Sequence, residues 1–398
     1  MASSGKRGGN ATWIMMMNLS SPELTELYRQ CIDRCLPFWY EHGVDHERGG
    51  FFGDVKDDGS LGSDAKGGWY QGFGVWLFAY YYNWRREERY LQAARHGWHF
   101  MRDHGRDTDG NWVMNLSRDG EILEGATSVL TDAYLAHGLV ELHRADPGEG
   151  CLEAAREMLL RVRELILRPD FCLSAPSYTE PHSLNGAWST LLYPVSDLLR
   201  ECPGDTEMSA MADLCVDAIF QKHLEPEMGL IVEAVAPNGE PYTGRQRNLV
   251  KPGAAAESCT AVMIEADRRN DPDLRRRAVE ILSAHFEAAW DRDSGGGVFY
   301  EIDLEGNPVE DRKAAWAQAE FMRGFITAMA TESDEWIVEA YERVHNWAFE
   351  IYADGPDDLW RLAVTRDLRP DLGRKLDMVH HPRMLLSILQ ILEARMPG

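Results

Sequence analysis

The feature that most constrains this chain is an internal repeat. Short extended runs flanked by glycine and aspartate recur along it. The first two run from Gly49-Gly50-Phe51-Phe52 to Asp57-Asp58-Gly59 and from Gly110-Asn111-Trp112-Val113 to Arg118-Asp119-Gly120. Two more run from Gly229-Leu230-Ile231-Val232 to Pro237-Asn238-Gly239 and from Gly297-Val298-Phe299-Tyr300 to Leu304-Glu305-Gly306. A looser copy spans Leu359-Trp360-Arg361-Leu362 to Thr365-Arg366-Asp367. Asp-Gly and Asn-Gly mark tight turns between paired short strands. The period is about 60 residues, with one degraded slot near residue 175.

Between these hairpins the apolar spacing predicts helices in pairs, over 21–42, 68–85, 87–104, 126–145, 150–167, 183–201, 205–223, 253–269, 272–291, 313–331, 334–352 and 380–396. Ser21-Pro22, Asp271-Pro272 and Ser333-Asp334 supply helix starts. Six helix pairs separated by hairpins predict an all-α (α/α)6 barrel with short β-hairpins at one mouth. The helices that follow hairpins mix Trp, Gly, Gln and Glu with apolar residues and read as an inner ring. Partners such as 272–291 carry a one-sided apolar stripe and read as an outer ring. The starts of the inner helices then face the hairpin mouth, where chemistry is expected.

Composition excludes several function classes. The net charge of −24 offers no basic face for nucleic acid or an anionic membrane. The apolar run Trp13-Ile14-Met15-Met16-Met17 is too short for a signal core or a membrane span. Residues 1–17 are read as a disordered leader and 18–398 as a single barrel domain. Seven cysteines without a CxxC point to reduced thiols and a cytoplasmic protein. No HxH, HExxH or DxDxDG pattern and no phosphate-cradling loop is present, so neither metal nor cofactor is expected.

Trp69-Tyr70-Gln71 and Trp316-Ala317-Gln318-Ala319-Glu320 open equivalent inner helices. Aromatic faces beside amides and carboxylates suit a carbohydrate. His380-His381-Pro382-Arg383 opens the last helix, where the dipole is expected to lower an imidazole pKa and keep His380 a neutral base. Glu257 lies in the first turn after Pro252-Gly253, and His182 precedes Asn185-Gly186-Ala187-Trp188. The expected site is therefore His380, Glu257 and Glu320 as catalytic groups. Trp69, Tyr70, Gln71, Asn185, Trp188, Trp316, Gln318, Trp360, His381 and Arg383 are the expected substrate contacts.

At these residues the chain resembles the N-acylglucosamine 2-epimerase superfamily, from about residue 22 to 397. Asp132-Ala133-Tyr134 and Gly138-Leu139 add to the motifs already quoted. The resemblance implies ring opening of a mono- or disaccharide and removal of the C2 proton by a histidine that maps onto His380. A cis-enediolate and return of the proton by a second histidine follow, and homodimers are implied. The second histidine's position is Ala254 here, and an arginine of the family is Phe73. Alanine carries no proton, so two-face epimerisation needs His182 or His381 as a substitute, whereas one-face aldose–ketose isomerisation does not. A glycosidase or lyase using Glu257 and Glu320, or a non-catalytic sugar binder, are the competing expectations.

Overall fold

The computed structural model describes residues 21–171, 180–353 and 359–395. The expected leader and the degraded hairpin slot lie outside those residues. Among the described residues twelve α-helices form where the apolar pattern places them. They are α1 (Pro22–Phe38), α2 (Gly68–Arg85), α3 (Glu88–His104), α4 (Leu130–Ala145), α5 (Cys151–Ile166) and α6 (Asn185–Glu201), followed by α7 (Thr206–Asp217), α8 (Pro252–Arg269), α9 (Pro272–Ala289), α10 (Ala315–Met329), α11 (Glu335–Tyr352) and α12 (His380–Arg395). Ser21 caps α1 by accepting from the Leu24 amide, and Asp271 caps α9 through Leu274.

The even-numbered helices pack in sequence, α2 on α4, α6, α8, α10 and α12, and α12 returns to α2, which closes the inner ring. They are buried nearly all round: α8 keeps every residue from Pro252 to Met263 out of solvent. Their odd-numbered partners bury one stripe and form the outer ring. Among the described residues no helix is long and apolar enough to cross a membrane.

The hairpins interlock around one mouth. Lys66–Gly67, just before α2, pairs with Asn115–Leu116 of the next hairpin, and Lys313–Ala314, just before α10, pairs with Arg361–Val364. A bridge between Lys56 and Lys375 joins the first hairpin to the last.

The hairpin ring hangs on a polar device used twice. Asp45 holds the buried Lys66 ammonium at 3.0 Å, and Asp291 holds Lys313 at 2.9 Å. Each aspartate also takes an arginine from the following hairpin, Arg118 at 2.8 Å and Arg366 at 3.1 Å. Gln71 then grips both backbone groups of Phe51 at 2.7 Å. Gln318 does the same to Val298, at 3.0 and 2.9 Å. Gly50 has φ +79°, and a Cβ there would sit 2.7 Å from the Gln71 oxygen, so only glycine lets the strand reach this clamp.

Candidate active site

The first turn of α12 carries the chemistry. Asp377 accepts from the Val379 and His380 amides at 2.8 and 3.0 Å and so caps the helix. His380 Nδ1 lies 2.8 Å from Glu320 Oε1, on neighbouring α10. A carboxylate only accepts, so Nδ1 carries the proton and the Nε2 lone pair is left for a substrate. Among the described residues Nε2 has no protein partner. The half-buried Trp316 ring lies beside the imidazole, with centroids 5.3 Å apart. Gly253 permits this placement, because a Cβ there would be 2.6 Å from the Trp316 ring.

Charge is concentrated behind His380. One Nη of Arg383 donates to Glu257 at 2.5 Å and to Glu320 at 2.7 Å. Arg323 donates to the other Glu320 oxygen at 2.6 Å. Burial favours a neutral Glu320, but the two guanidiniums and His380 outweigh it and hold the carboxyl far below the usual range. Burial also pulls His380 down, yet its hydrogen bond to Glu320 and the charges of Asp377 and Glu320 more than offset that. Its pKa therefore lies above the ordinary histidine value. The expectation of a dipole-lowered imidazole is corrected: two nearby carboxylates outweigh the helix terminus.

His380, Glu257, Glu320 and Arg383 come together as the sequence suggested. Asp377, Arg323 and Tyr193 belong to the same network and were not singled out. Tyr193 donates to the Glu257 carbonyl at 3.0 Å and stands 3.4 Å from Arg323. A buried arginine three residues after Glu320 on the same helix face was the available signal for one of them. Phe73 lies against Arg383, with the guanidinium 6.0 Å from its ring centre.

Trp69, Tyr70 and Trp316 remain partly exposed at the mouth, as a sugar platform requires. Six other expected contacts are placed differently. Gln71 and Gln318 spend both amide ends on the strand clamps described above. Trp188 is buried and donates to Ser183 at 2.7 Å. Trp360 is buried and stacks on His381, with ring centres 4.8 Å apart. His381 is thereby sealed in the core, where burial pushes its pKa down to about 3. Gln71, Gln318, Trp188 and His381 are wall residues because a side chain early in an inner helix can point into the interhelical core as readily as into the lumen, whereas Trp360 stands outside the helices, just before the strand Arg361–Val364. Asn185 is also buried and accepts from Ser258 at 3.0 Å, next to Ala254. His182 bonds the Glu180 carbonyl at 2.8 Å and meets Tyr242 edge-on, so it packs within the loop wall. Among the described residues neither histidine makes a hydrogen bond or ring contact with His380.

Oxygen and nitrogen atoms of Glu257, Glu320 and His380 lie within 4.8 Å of one another, a spacing that could hold a metal ion. The Arg383 guanidinium already sits against both carboxylates, so the position of positive charge between them is taken by the protein itself.

The family model described as N-acylglucosamine 2-epimerase (GlcNAc 2-epimerase) matches residues 50–380. The chain belongs to the N-acylglucosamine 2-epimerase family. Epimerases are isomerases, and the enzyme class follows. The chain is 27% identical over 393 residues to the N-acylglucosamine 2-epimerase of Mus musculus, covering 92% of this chain and 91% of that protein. Among solved structures it is similar to the cellobiose 2-epimerase of Bacillus thermoamylovorans B4167, with TM-score 0.81, 18% identity and coverage of 93% and 100%. It is also similar to a D-mannose isomerase, with TM-score 0.79, 17% identity and coverage of 94% and 98%. Epimerases and an isomerase thus share this family's barrel.

Proposed function

We propose that this family member moves a proton at C2 of a ring-opened mono- or disaccharide, with His380 Nε2 as the base. The observation that carries the reading is the Nδ1-to-Glu320 hydrogen bond at 2.8 Å, which fixes the tautomer and aims the basic nitrogen outward. Glu320 stabilises the imidazolium that forms, and Arg383 holds the two carboxylates in place. The free oxygen of Glu257 suits a sugar hydroxyl, while Trp69, Tyr70 and Trp316 offer faces for the ring carbons. As the C2–H bond breaks, its electron pair enters the C1–C2 bond and gives an enediolate. Return of the proton by His380 to C1 on the same face, with the O2 hydroxyl proton passing to O1, yields the ketose, which requires one base at carbon only.

A hydrolase reading has less support, because Glu257 and Glu320 share one guanidinium and Glu320 is held ionised rather than as a protonated acid. The test is incubation with a panel of mono- and disaccharides in heavy water, followed by NMR. Deuterium entering C1 or C2, and its loss in His380→Ala with an unchanged melting temperature, is the expected result. Cleavage of a glycoside without exchange into any sugar would overturn the reading.

A further inference from the structure

The start of α8 lacks the expected histidine, yet beside it stands an ionisable group with no assigned task. Glu233 follows the strand Leu230–Ile231 and reaches between the first turns of α6 and α8. Its backbone carbonyl accepts from the Asn185 amide at 2.9 Å, and its own amide donates to Leu249 at 2.7 Å. Both of its backbone groups are therefore fixed. A Cβ on Gly186, in the first turn of α6, would lie 3.9 Å from Glu233 Oε1 with no nearer neighbour. The residue is only 7% exposed, and among the described residues its Oε2 has no hydrogen-bond partner. A buried carboxylate oxygen left unpaired is costly unless something else occupies the space beside it.

Its charged surroundings are mixed. Lys251, the residue before α8, approaches Glu233 at 3.8 Å and Glu301 at 3.9 Å. Burial raises the Glu233 carboxyl, Lys251 lowers it, and the negative charges of Glu301 and Glu257 raise it again, so it titrates above the usual glutamate value. Ala254, where the second histidine is missing, is in the first turn of the same α8. The Asn185–Ser258 hydrogen bond runs beside it, from Ser258 that also bonds the Ala254 carbonyl at 2.9 Å.

We infer that Glu233, held beside the first turns of α6 and α8, is the second proton carrier and returns a proton to C2 on the face opposite His380. The inference rests on C2 proton transfer by His380. In the forward direction the C2–H bond breaks as Nε2–H forms, and the electron pair passes into the enediolate. A Glu233 O–H bond then breaks as a new C2–H bond forms on the other face. The product is the C2 epimer, His380 has gained a proton and Glu233 has lost one. Exchange with solvent resets both groups. The enzyme would thus make both ketose and epimer, by routes that part at the enediolate.

The experiment follows both products by NMR in heavy water, using an aldose whose C2 exchanges. Wild type is expected to form ketose and an epimer carrying one deuteron at C2. Glu233→Gln is expected to lose epimer formation by about 100-fold or more, with ketose formation and C2 exchange within about threefold of wild type. Adding Ala254→His to that variant should restore epimer. Lys251→Met, which leaves the carboxyl in place, should move the alkaline limb of epimer formation to higher pH without moving that of ketose formation. An unchanged epimer-to-ketose ratio in Glu233→Gln overturns the inference, as does a wild-type enzyme that makes ketose and no epimer. If Glu233→Gln fails to fold, an unmoved limb in Lys251→Met overturns it equally. Exchange that survives His380→Ala, or exchange with no sugar at all, instead defeats the underlying reading and takes this inference with it.

Discussion

Replacing Glu320 by glutamine removes one charge and almost no volume from the centre of the site. Its carboxylate takes three donors, from Arg323 at 2.6 Å, Arg383 at 2.7 Å and His380 at 2.8 Å, and its side chain is wholly buried. A glutamine oxygen can still serve the His380 and Arg383 side. Its amide NH2 then faces the Arg323 guanidinium, where two donors meet. Breaking a buried ion pair from one side costs about 3–5 kcal/mol, because the partner's charge stays behind. Glu257 still neutralises part of Arg383, so a loss of about 3–5 kcal/mol is the whole expected effect rather than twice that. A domain with about 5–15 kcal/mol to lose remains folded, and urea titration measures the shift. The kinetic consequence is separate. His380 must be neutral to act as base, so kcat/KM rises as pH climbs through its raised pKa. Glu320 stabilises the imidazolium, so Glu320→Gln lowers that pKa and moves the acid limb to lower pH. Its plateau falls about 100- to 10,000-fold as the base loses its orienting anion. A variant within about 1 kcal/mol of wild type would show that Glu320 is not the buried anion described here. An acid limb that stays put would show that it does not raise His380.

Asp377→Asn keeps the cap on α12 but removes a charge that raises His380; the acid limb of kcat/KM should move to lower pH with a fall in kcat under about tenfold, and a limb moving upward would refute the assignment. Gln318→Ala leaves the buried Val298 amide and carbonyl without partners, at about 1–3 kcal/mol each; chemical denaturation should show the loss, and Gln71→Ala should match it through Phe51. Burial holds His223 and His285 at about 4 and His345 and His381 at about 3. The unfolded chain takes up protons below about 6.5 that these four refuse, so stability should fall as pH drops from there towards 4, and a flat urea midpoint between pH 7 and 5 would contradict it. His381→Phe keeps the stack on Trp360 and deletes two ring nitrogens that have no partner among the described residues; it should stabilise the barrel by about 1–3 kcal/mol and reduce that acid slope, whereas destabilisation would mean the nitrogens are satisfied.

The repeat was legible because its signals are local. Gly-Gly-Phe and Asp-Gly declare a turn whatever surrounds them, and twelve apolar stripes at helical spacing leave few closed arrangements. His380, Glu257, Glu320 and Arg383 were legible because each stands in the first turns of an inner helix, on a face the mouth must present. Gln71 and Gln318 were misread for the same reason. The sequence places both at the mouth, but a rotation of less than one helical turn decides between lumen and wall, and only the strand each clamps settles it. Asp377 and Glu233 escaped notice because a cap in a loop and a residue trailing a hairpin carry no periodicity.

The two clamps also locate the chemistry within the ring. Asp45, Lys66, Gln71 and Arg118 in one half correspond to Asp291, Lys313, Gln318 and Arg366 in the other, with matching partners. Under that correspondence Trp69 matches Trp316, while Phe73 occupies the position of Glu320 and Trp76 that of Arg323. The two halves thus share the parts that hold the hairpin ring and differ at the next two inward positions along the inner helix. One half presents Phe73 and Trp76, the other an ionised Glu320 paired with Arg323. Within this repeated device the buried anion that a base needs is therefore supplied on the α10 side. Any group that meets a substrate from the other face must come from outside this repeated device, which is where Glu233 lies.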